Sequence, residues 1–165
     1  MEKILTILIE RNSYTARTSV GDMFFLYDKE YVTPVPRNIR ERFGYTLEDT
    51  VRPENIKVYG ETGIPSGVRC KVRLYESDHH GKTIIFYTEE DGVTLKWKEL
   101  SWTYVLAHGG NTHIDTMACV LVAKNKISND MIQGSLKDEL RIFIENKIKE
   151  GYTIEAEFIN LTQLS

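Results

Sequence analysis

At 165 residues, with 41% hydrophobic and 27% charged residues, the chain has the size and composition of one globular domain over residues 1–165. The formal net charge of −3 at pH 7 provides no electrostatic basis for binding duplex nucleic acid. Arg37, Arg40 and Arg42 cluster in a proline-containing stretch, which we interpret as a solvated loop and not as a nucleic-acid surface.

The N-terminal sequence lacks the features of an export signal. Its apolar run over residues 4–9 is short and is ended at once by Glu10 and Arg11, with no small-residue cleavage site. No segment approaches the roughly 18 apolar residues that a membrane span requires. We therefore expect a protein that is made in the cytoplasm and has no membrane span.

The first third of the chain is predicted to contain two strands. Residues 3–11 have the pattern of a buried strand, and a turn at Gly21 and Asp22 leads into a second strand over residues 22–31. Prolines near the start of residues 32–45 favour a loop with one short helical turn.

A turn and a strand around the first cysteine follow. Three glycines and a proline in residues 60–67 predict a turn that leads directly into a strand. The apolar residues of that strand alternate with polar ones: Val68, Cys70, Val72 and Leu74. This period of two points Cys70 into the core, where we interpret it as a structural residue.

Four more strands are predicted in the middle of the chain. Residues 84–88 and 93–97 flank an Asp-Gly pair and favour a hairpin. Residues 101–107 and 118–124 are two further apolar strands, joined by a polar loop.

The helix is the clearest local prediction. Ser135 is positioned to cap it, Asp138 follows three residues later, and Gly151 ends it. Its apolar face consists of Leu136, Leu140, Phe143, Ile144 and Ile148. A last strand alternates apolar and polar residues over 152–160. The predicted fold class is α+β, with a mainly antiparallel sheet, barrel-like or sandwich-like, one C-terminal helix and a final strand.

The polar loop carries the candidate chemistry. His108 ends one predicted strand and Cys119 begins the next, so the two side chains can emerge at the same end of a sheet and act as base and nucleophile. Asp115 or Asn111 would orient the imidazole, as the third member of a triad does. Gly109 and Gly110 have no Cβ, so a substrate could approach their backbone N–H groups closely. The alternative from spacing alone is a polar connection with a buried Cys119.

A metal site is a second alternative. His108 and Asp115 stand seven residues apart, which is similar to the first two ligands of zinc D,D-peptidases, but no histidine follows His113 to complete the set. His79 and His80 are more simply a polar turn. We therefore predict no metal ligand and no cofactor.

Four short motifs stand in order along the chain: Thr-Leu-Glu-Asp with a following arginine, Gly-Glu-Thr-x-Ile-Pro-x-Gly, His-x-Gly-Asn, and Asp-Thr-x-x-Cys. They resemble an uncharacterised domain family of bacteria and tailed bacteriophages, over most of the chain. The matching residues are Thr46, Leu47, Glu48, Asp49, Arg52, Gly60, Glu61, Thr62, Ile64, Pro65, Gly67, His108, Gly110, Asn111, Asp115, Thr116 and Cys119. The resemblance implies that the site is also lined by Glu48, Asp49, Arg52 and Glu61.

The third and fourth motifs look like active-site elements of L,D-transpeptidases, which cross-link peptidoglycan stems through a cysteine acyl-enzyme. That analogy implies Cys119 as nucleophile and His108 as base, with Gly109, Gly110, Thr116 and Ala118 around the substrate and backbone amides near Ala118 and Cys119 as oxyanion donors. Ala118 replaces the glycine of the family, Met117 stands where transpeptidases have a histidine, and eleven positions from His108 to Cys119 are fewer than in transpeptidases.

Two functions from different classes follow. The first is a cysteine-dependent hydrolase or transpeptidase acting on peptidoglycan stem peptides. The second is a non-catalytic virion or tail-associated module whose partners are other phage proteins. Either would be made in the bacterial cytoplasm and end in the virion or, after release, in the cell envelope.

Overall fold

The computed structural model describes residues 2–27, 34–36, 41–52, 57–58 and 60–161, and within them the chain is mostly β-strand. A short 3-10 helix spans His113–Asp115. The strands and the one α-helix of this part of the chain are β1 (Lys3–Tyr14), β2 (Thr18–Tyr27), β3 (Gly44–Asp49), β4 (Arg69–Ser77), β5 (Gly81–Tyr87), β6 (Thr94–Trp97), β7 (Leu100–Thr103), β8 (Val105–His108), β9 (Val120–Ser128), β10 (Met131–Ser135), α1 (Lys137–Lys149) and β11 (Tyr152–Asn160).

Among the described residues, nine strands form one large mixed sheet in the order β10-β9-β3-β2-β1-β11-β4-β5-β8. The β1–β11 and β8–β9 pairings are parallel, and the other neighbours in this order run antiparallel. The sheet is not a closed barrel: its return contact is two residue pairs, Ala107 with Val120 and His108 with Leu121. That contact places the end of β8 beside the start of β9. The predicted α+β class, with a helix followed by a final strand, is confirmed.

The main core lies between the sheet and α1. Leu140 and Ile144 of the helix are buried there with Ile154 and Phe158 of β11, as the alternation of residues 152–160 predicts. Phe143 stacks on Phe25 with ring centroids 4.2 Å apart. No helix in the described ranges is long and apolar enough to cross a membrane.

The first turn differs from the prediction. The chain reverses at residues 15–17, whereas Gly21 and Asp22 lie inside β2 and pair with Arg11 and Glu10 of β1. A Cβ on Gly21 would lie 2.2 Å from the carbonyl oxygen of Glu10, so this glycine permits close strand approach at a register shift and does not form a turn.

Two strands were not predicted. β3 contains the Thr-Leu-Glu-Asp motif and lies between β2 and β9, and β10 pairs with β9. The predicted loop over residues 32–45 therefore gives way to β3 from Gly44. Of the arginine cluster, Arg37 and Arg40 lie outside the described residues, as do residues 28–31 of the predicted second strand.

Arg42 is described, and it is not simply solvated. Its Nε donates to Asp22 Oδ1 at 2.7 Å, and its guanidinium lies 4.4 Å from the ring centroid of Tyr45.

The prediction that residues 84–88 and 93–97 pair with each other as a hairpin is wrong. β5 pairs with β4 and β8, whereas β6 pairs with β7 in a separate two-stranded sheet. The predicted strand over residues 101–107 is broken at Tyr104, whose φ of 55° no strand accommodates. The break divides it into β7 and β8.

The helix is confirmed with a different start. Leu136 is the N-cap and no side chain caps α1, since Ser135 is the last residue of β10. Ser135 Oγ still accepts the backbone N–H of Lys137 at 3.2 Å. Of the predicted apolar face, Leu136, Leu140 and Ile144 are buried, Phe143 is partly buried, and Ile148 is 38% exposed.

Candidate functional site

The loop between β8 and β9 is held by its own polar side chains. Asp115 Oδ2 accepts the backbone N–H of Asn111 at 2.9 Å, and the Asn111 side chain donates to the carbonyl of Ile132 in β10 at 2.8 Å. Asn111 and Asp115 thus fasten the loop to itself and to β10. Neither makes a hydrogen bond to His108 within the described chain, so neither orients its imidazole.

Asp49, at the end of β3, accepts hydrogen bonds from the C-terminal part of the same loop. Its Oδ1 lies 2.5 Å from Thr116 Oγ1, and its Oδ2 accepts the backbone N–H of Ala118 at 2.7 Å. The residue as a whole is only 3% exposed. Burial raises the pKa of Asp49, and the two hydrogen bonds act in the opposite direction. This contact joins the last residue of the Thr-Leu-Glu-Asp segment to the Asp-Thr-x-x-Cys segment.

Cys119 is a buried thiol with its own partners. Its sulfur accepts the N–H of Leu106 at 3.4 Å and lies 3.5 Å from the carbonyl of Tyr104, with Ile85 in the same apolar cluster. Burial raises the pKa of the Cys119 thiol to about 11, so the thiolate that attacks a carbonyl is scarce at neutral pH. Cys70 is also buried, and its pKa is raised to about 12, as expected of a structural residue.

His108 is buried at the end of β8. Its Nδ1 lies 2.7 Å from the Gly109 carbonyl, and because a carbonyl only accepts, Nδ1 carries the proton. Its ring stacks on His80, with centroids 3.8 Å apart and planes 11° apart. Burial lowers the pKa of His108 and of His80, so the stacked pair is neutral at pH 7.

The structure does not pair the predicted base with the predicted nucleophile. His108 lies opposite Leu121 in the β8–β9 register, and Cys119 lies opposite Leu106, so about 7 Å of strand separates them. No hydrogen bond joins His108 to Cys119 in the part of the chain that the structure describes.

The predicted oxyanion donors already have acceptors. The N–H of Ala118 donates to Asp49, and the N–H of Cys119 donates to the carbonyl of Thr116 at 2.7 Å. Gly109 and Gly110 make room for protein: added Cβ atoms would lie 2.6 Å from Ser135 Oγ and 2.7 Å from Asp115 Cβ.

Ala118 has a left-handed backbone, with φ of 72°. This conformation costs a residue with a Cβ roughly 1–2 kcal/mol, and glycine avoids that cost. The geometry thus gives a conformational reason for a glycine at this position, separate from access of a substrate.

Replacing Ala118 by glycine is expected to raise the free energy of unfolding by about 0.5–1 kcal/mol, because relief of backbone strain exceeds the added entropy of the unfolded chain. Urea unfolding followed by tryptophan fluorescence measures this. Ala123→Gly is the matched control: Ala123 lies in β9 without a positive φ, and its replacement should destabilise. A loss of stability in Ala118→Gly would contradict the prediction.

Glu48 does not line an open site. It is buried beside Arg11, whose Nε and Nη2 donate to its two carboxylate oxygens at 2.8 and 2.6 Å. Arg11 Nη1 also donates to Asn160 in β11 at 3.1 Å, so the pair ties β1, β3 and β11 together.

The other three predicted lining residues share a pocket of about 390 Å³. Within the described ranges it is lined by Ala16, Arg17, Asp49, Arg52, Glu61 and His113. Sequence reasoning missed Arg17 and His113 as members of this site. His113 lies inside the fourth-motif loop and could have been found there, but Arg17 comes from the β1–β2 turn and has no local pattern that marks it.

The described residues contain no group of side chains that could act as metal ligands. Among the described residues, no three His, Cys, Asp or Glu side chains are grouped so that they could hold an ion. His79 and His80 lie in the turn between β4 and β5, as the sequence predicts. That the chain binds no metal stays a prediction.

Compared with models of protein families, with curated proteins and with solved structures, the chain matches none.

Proposed function

We propose that this chain is a non-catalytic structural module, of the virion or tail-associated kind, and that its motifs build a scaffold. The observation that carries this proposal is the occupation of the oxyanion position. A cysteine acyl-transfer site needs backbone N–H groups that are free to bind the developing oxyanion. The N–H groups of Ala118 and Cys119 instead donate to Asp49 and Thr116.

The sulfur itself supports the same function. The Cys119 sulfur contacts the N–H of Leu106 and the carbonyl of Tyr104 within an apolar cluster, and its raised pKa favours the protonated thiol. A nucleophile of this class is activated by a base within hydrogen-bond reach or by a lowered pKa. His108 supplies neither, because its protonated Nδ1 is bound to Gly109 and its ring packs on His80.

The roles of the motif residues account for the motifs without catalysis. Asp49 and Thr116 join β3 to the loop, and Asn111 joins the loop to β10. Thr62 accepts the Trp102 indole N–H on its carbonyl at 3.1 Å. A module with these contacts and no activated nucleophile would assemble with other virion proteins. Its assignment to phage particles rests on the resemblance of the four motifs.

Iodoacetamide labelling of the folded protein, read residue by residue by mass spectrometry, tests the proposal. Both cysteines are expected to react at least about 10²-fold more slowly than in 8 M urea, because burial raises the thiol pKa to about 11 at Cys119 and about 12 at Cys70 and so lowers the thiolate fraction. Wild type should also release no product from purified muropeptides.

Cys70 is the internal control for Cys119. Fast labelling of Cys119 alone, slowed by His108→Gln, would overturn the proposal. So would muropeptide turnover that Cys119→Ala abolishes without a loss of fold, and that result would establish the cysteine enzyme instead.

A further inference from the structure

The pocket beside Asp49 contains the guanidinium of Arg17, which has no hydrogen-bond or ion-pair partner among the residues that the structure describes. Arg17 lies in the β1–β2 turn, where its carbonyl accepts the N–H of Thr50 at 3.0 Å, so its backbone is fixed to the end of β3. Its side chain is exposed and makes no hydrogen bond or ion pair within the described residues. The β1–β2 turn therefore places the positive charge of Arg17 at the pocket, and no carboxylate of the described residues pairs with it.

The second guanidinium is held in place. Arg52 Nε donates to Thr62 Oγ1 at 3.1 Å, and its Nη2 donates to the carbonyl of Glu61 at 3.2 Å. Its Nη1 makes no hydrogen bond in the described part of the chain. A planar group fixed on one edge and open on the other is prepared to bind a carboxylate.

The opposite charge is also built into the pocket. Asp49 is fixed by Thr116 and Ala118, and Glu61 is exposed, with Oε2 only 3.9 Å from Arg52 Nη2. Among the lining residues that the structure describes, the formal charge therefore balances: two guanidiniums, Arg17 and Arg52, stand against two carboxylates, Asp49 and Glu61, with His113 beside them.

The presence of both charge signs in the pocket favours ligands that also carry both signs. A polyanion such as phosphate is repelled by the two carboxylates, and a simple cation is repelled by the two guanidiniums. A ligand that carries both charges satisfies both sets of groups. The volume of about 390 Å³ is at the lower end of the usual range for ligand pockets, roughly 300–1,000 Å³.

We infer that this pocket binds a small zwitterionic ligand of the amino-acid or dipeptide class. The ligand carboxylate lies against Arg17 and the open edge of Arg52. The ligand ammonium lies against the exposed carboxylate of Glu61, and the buried carboxylate of Asp49 contributes its charge without direct contact. Binding requires no catalytic chemistry and does not depend on the assembly role proposed above.

Titration of the full chain with alanine and with alanyl-alanine, followed by isothermal calorimetry and by NMR shifts, tests the inference. Saturable binding with a Kd on the order of 1 mM is expected for at least one of them. Acetate, methylamine and inorganic phosphate, which each carry one sign of charge, should bind at least about tenfold more weakly.

Two arginine variants and a matched control locate the site. Arg17→Gln should weaken binding about tenfold and leave the melting temperature unchanged, because the exposed Arg17 side chain makes no hydrogen bond or ion pair within the described residues. Arg52→Gln should also weaken binding, and its fold is checked by circular dichroism. The control Arg69→Gln changes a surface arginine that pairs with Glu155 and Glu157, and it should bind as wild type does.

The inference fails if no zwitterion saturates the protein at 50 mM, on the order of fifty times the expected Kd. It also fails if Arg17→Gln binds as tightly as wild type, or if phosphate binds best.

Discussion

Replacing Arg11 by methionine is expected to lower the free energy of unfolding by about 3–5 kcal/mol. Arg11 and Glu48 are both buried, and the guanidinium holds the two carboxylate oxygens at 2.8 and 2.6 Å. Removing the cation leaves the Glu48 carboxylate buried without its partner, which costs more than the pair contributes when intact. Urea unfolding followed by circular dichroism measures the change.

The double variant Arg11→Met with Glu48→Leu separates the pair from the packing. It should recover most of the stability that Arg11→Met loses, because two apolar side chains of similar volume need no charge partner. The surface control Arg69→Met should lose less than about 1 kcal/mol, since exposed ion pairs contribute little. A loss below 1 kcal/mol in Arg11→Met itself would contradict the prediction.

The strands that the sequence predicts best are those with one buried face. Residues 152–158 alternate between apolar and polar, and β11 buries Ile154, Ala156 and Phe158. β3 gives no such signal, because Glu48 and Asp49 are buried on opposite faces of a strand that packs on both sides. In a sequence, a buried charged residue cannot be distinguished from a charged residue on the surface. The partner that allows Glu48 to be buried, Arg11, is 37 residues away along the chain.

Pairing is less predictable than the existence of a strand. The Asp-Gly pair before residues 93–97 does form a turn, and Asp91 Oδ1 accepts the N–H groups of Val93 and Thr94 there. Turn chemistry fixes the local reversal but not which edge the next strand joins. β6 pairs with β7 because the chain reverses at residues 98–99, where Lys98 has a φ of 55°, and the break at Tyr104 only ends β7. Neither side chain predicts a positive φ.

The candidate site illustrates the same limit. The sequence places His108 and Cys119 at the ends of neighbouring strands, and β8 and β9 are indeed paired. A shift of two residues in a parallel register is enough to keep the two side chains apart, and register is set by the whole sheet. Spacing could predict that the loop residues lie together, but not that their hydrogen bonds are directed to Asp49 and β10.

Asp49 holds the end of the loop between β8 and β9, and Asp49→Ala is expected to lower the free energy of unfolding by about 2–4 kcal/mol. The substitution removes the acceptor of two hydrogen bonds to a charged group, and it leaves the N–H of Ala118 without a partner. Loosening of residues 116–119 should also speed iodoacetamide labelling of Cys119 and leave Cys70, in β4, unchanged.

Asp49→Asn distinguishes the hydrogen bonds from the charge. An asparagine oxygen can still accept from Ala118, and its amide can donate to Thr116 Oγ1, which then donates to the His113 carbonyl 2.9 Å away. Asp49→Asn should therefore cost at least about 1 kcal/mol less than Asp49→Ala, since no buried donor is left unpaired. Glu61→Ala, which changes an exposed carboxylate of the same pocket, should cost less than about 0.5 kcal/mol. If Asp49→Asn and Asp49→Ala lost equal stability, the loop would depend on the charge of Asp49, and the scaffold role argued from its hydrogen bonds would be wrong.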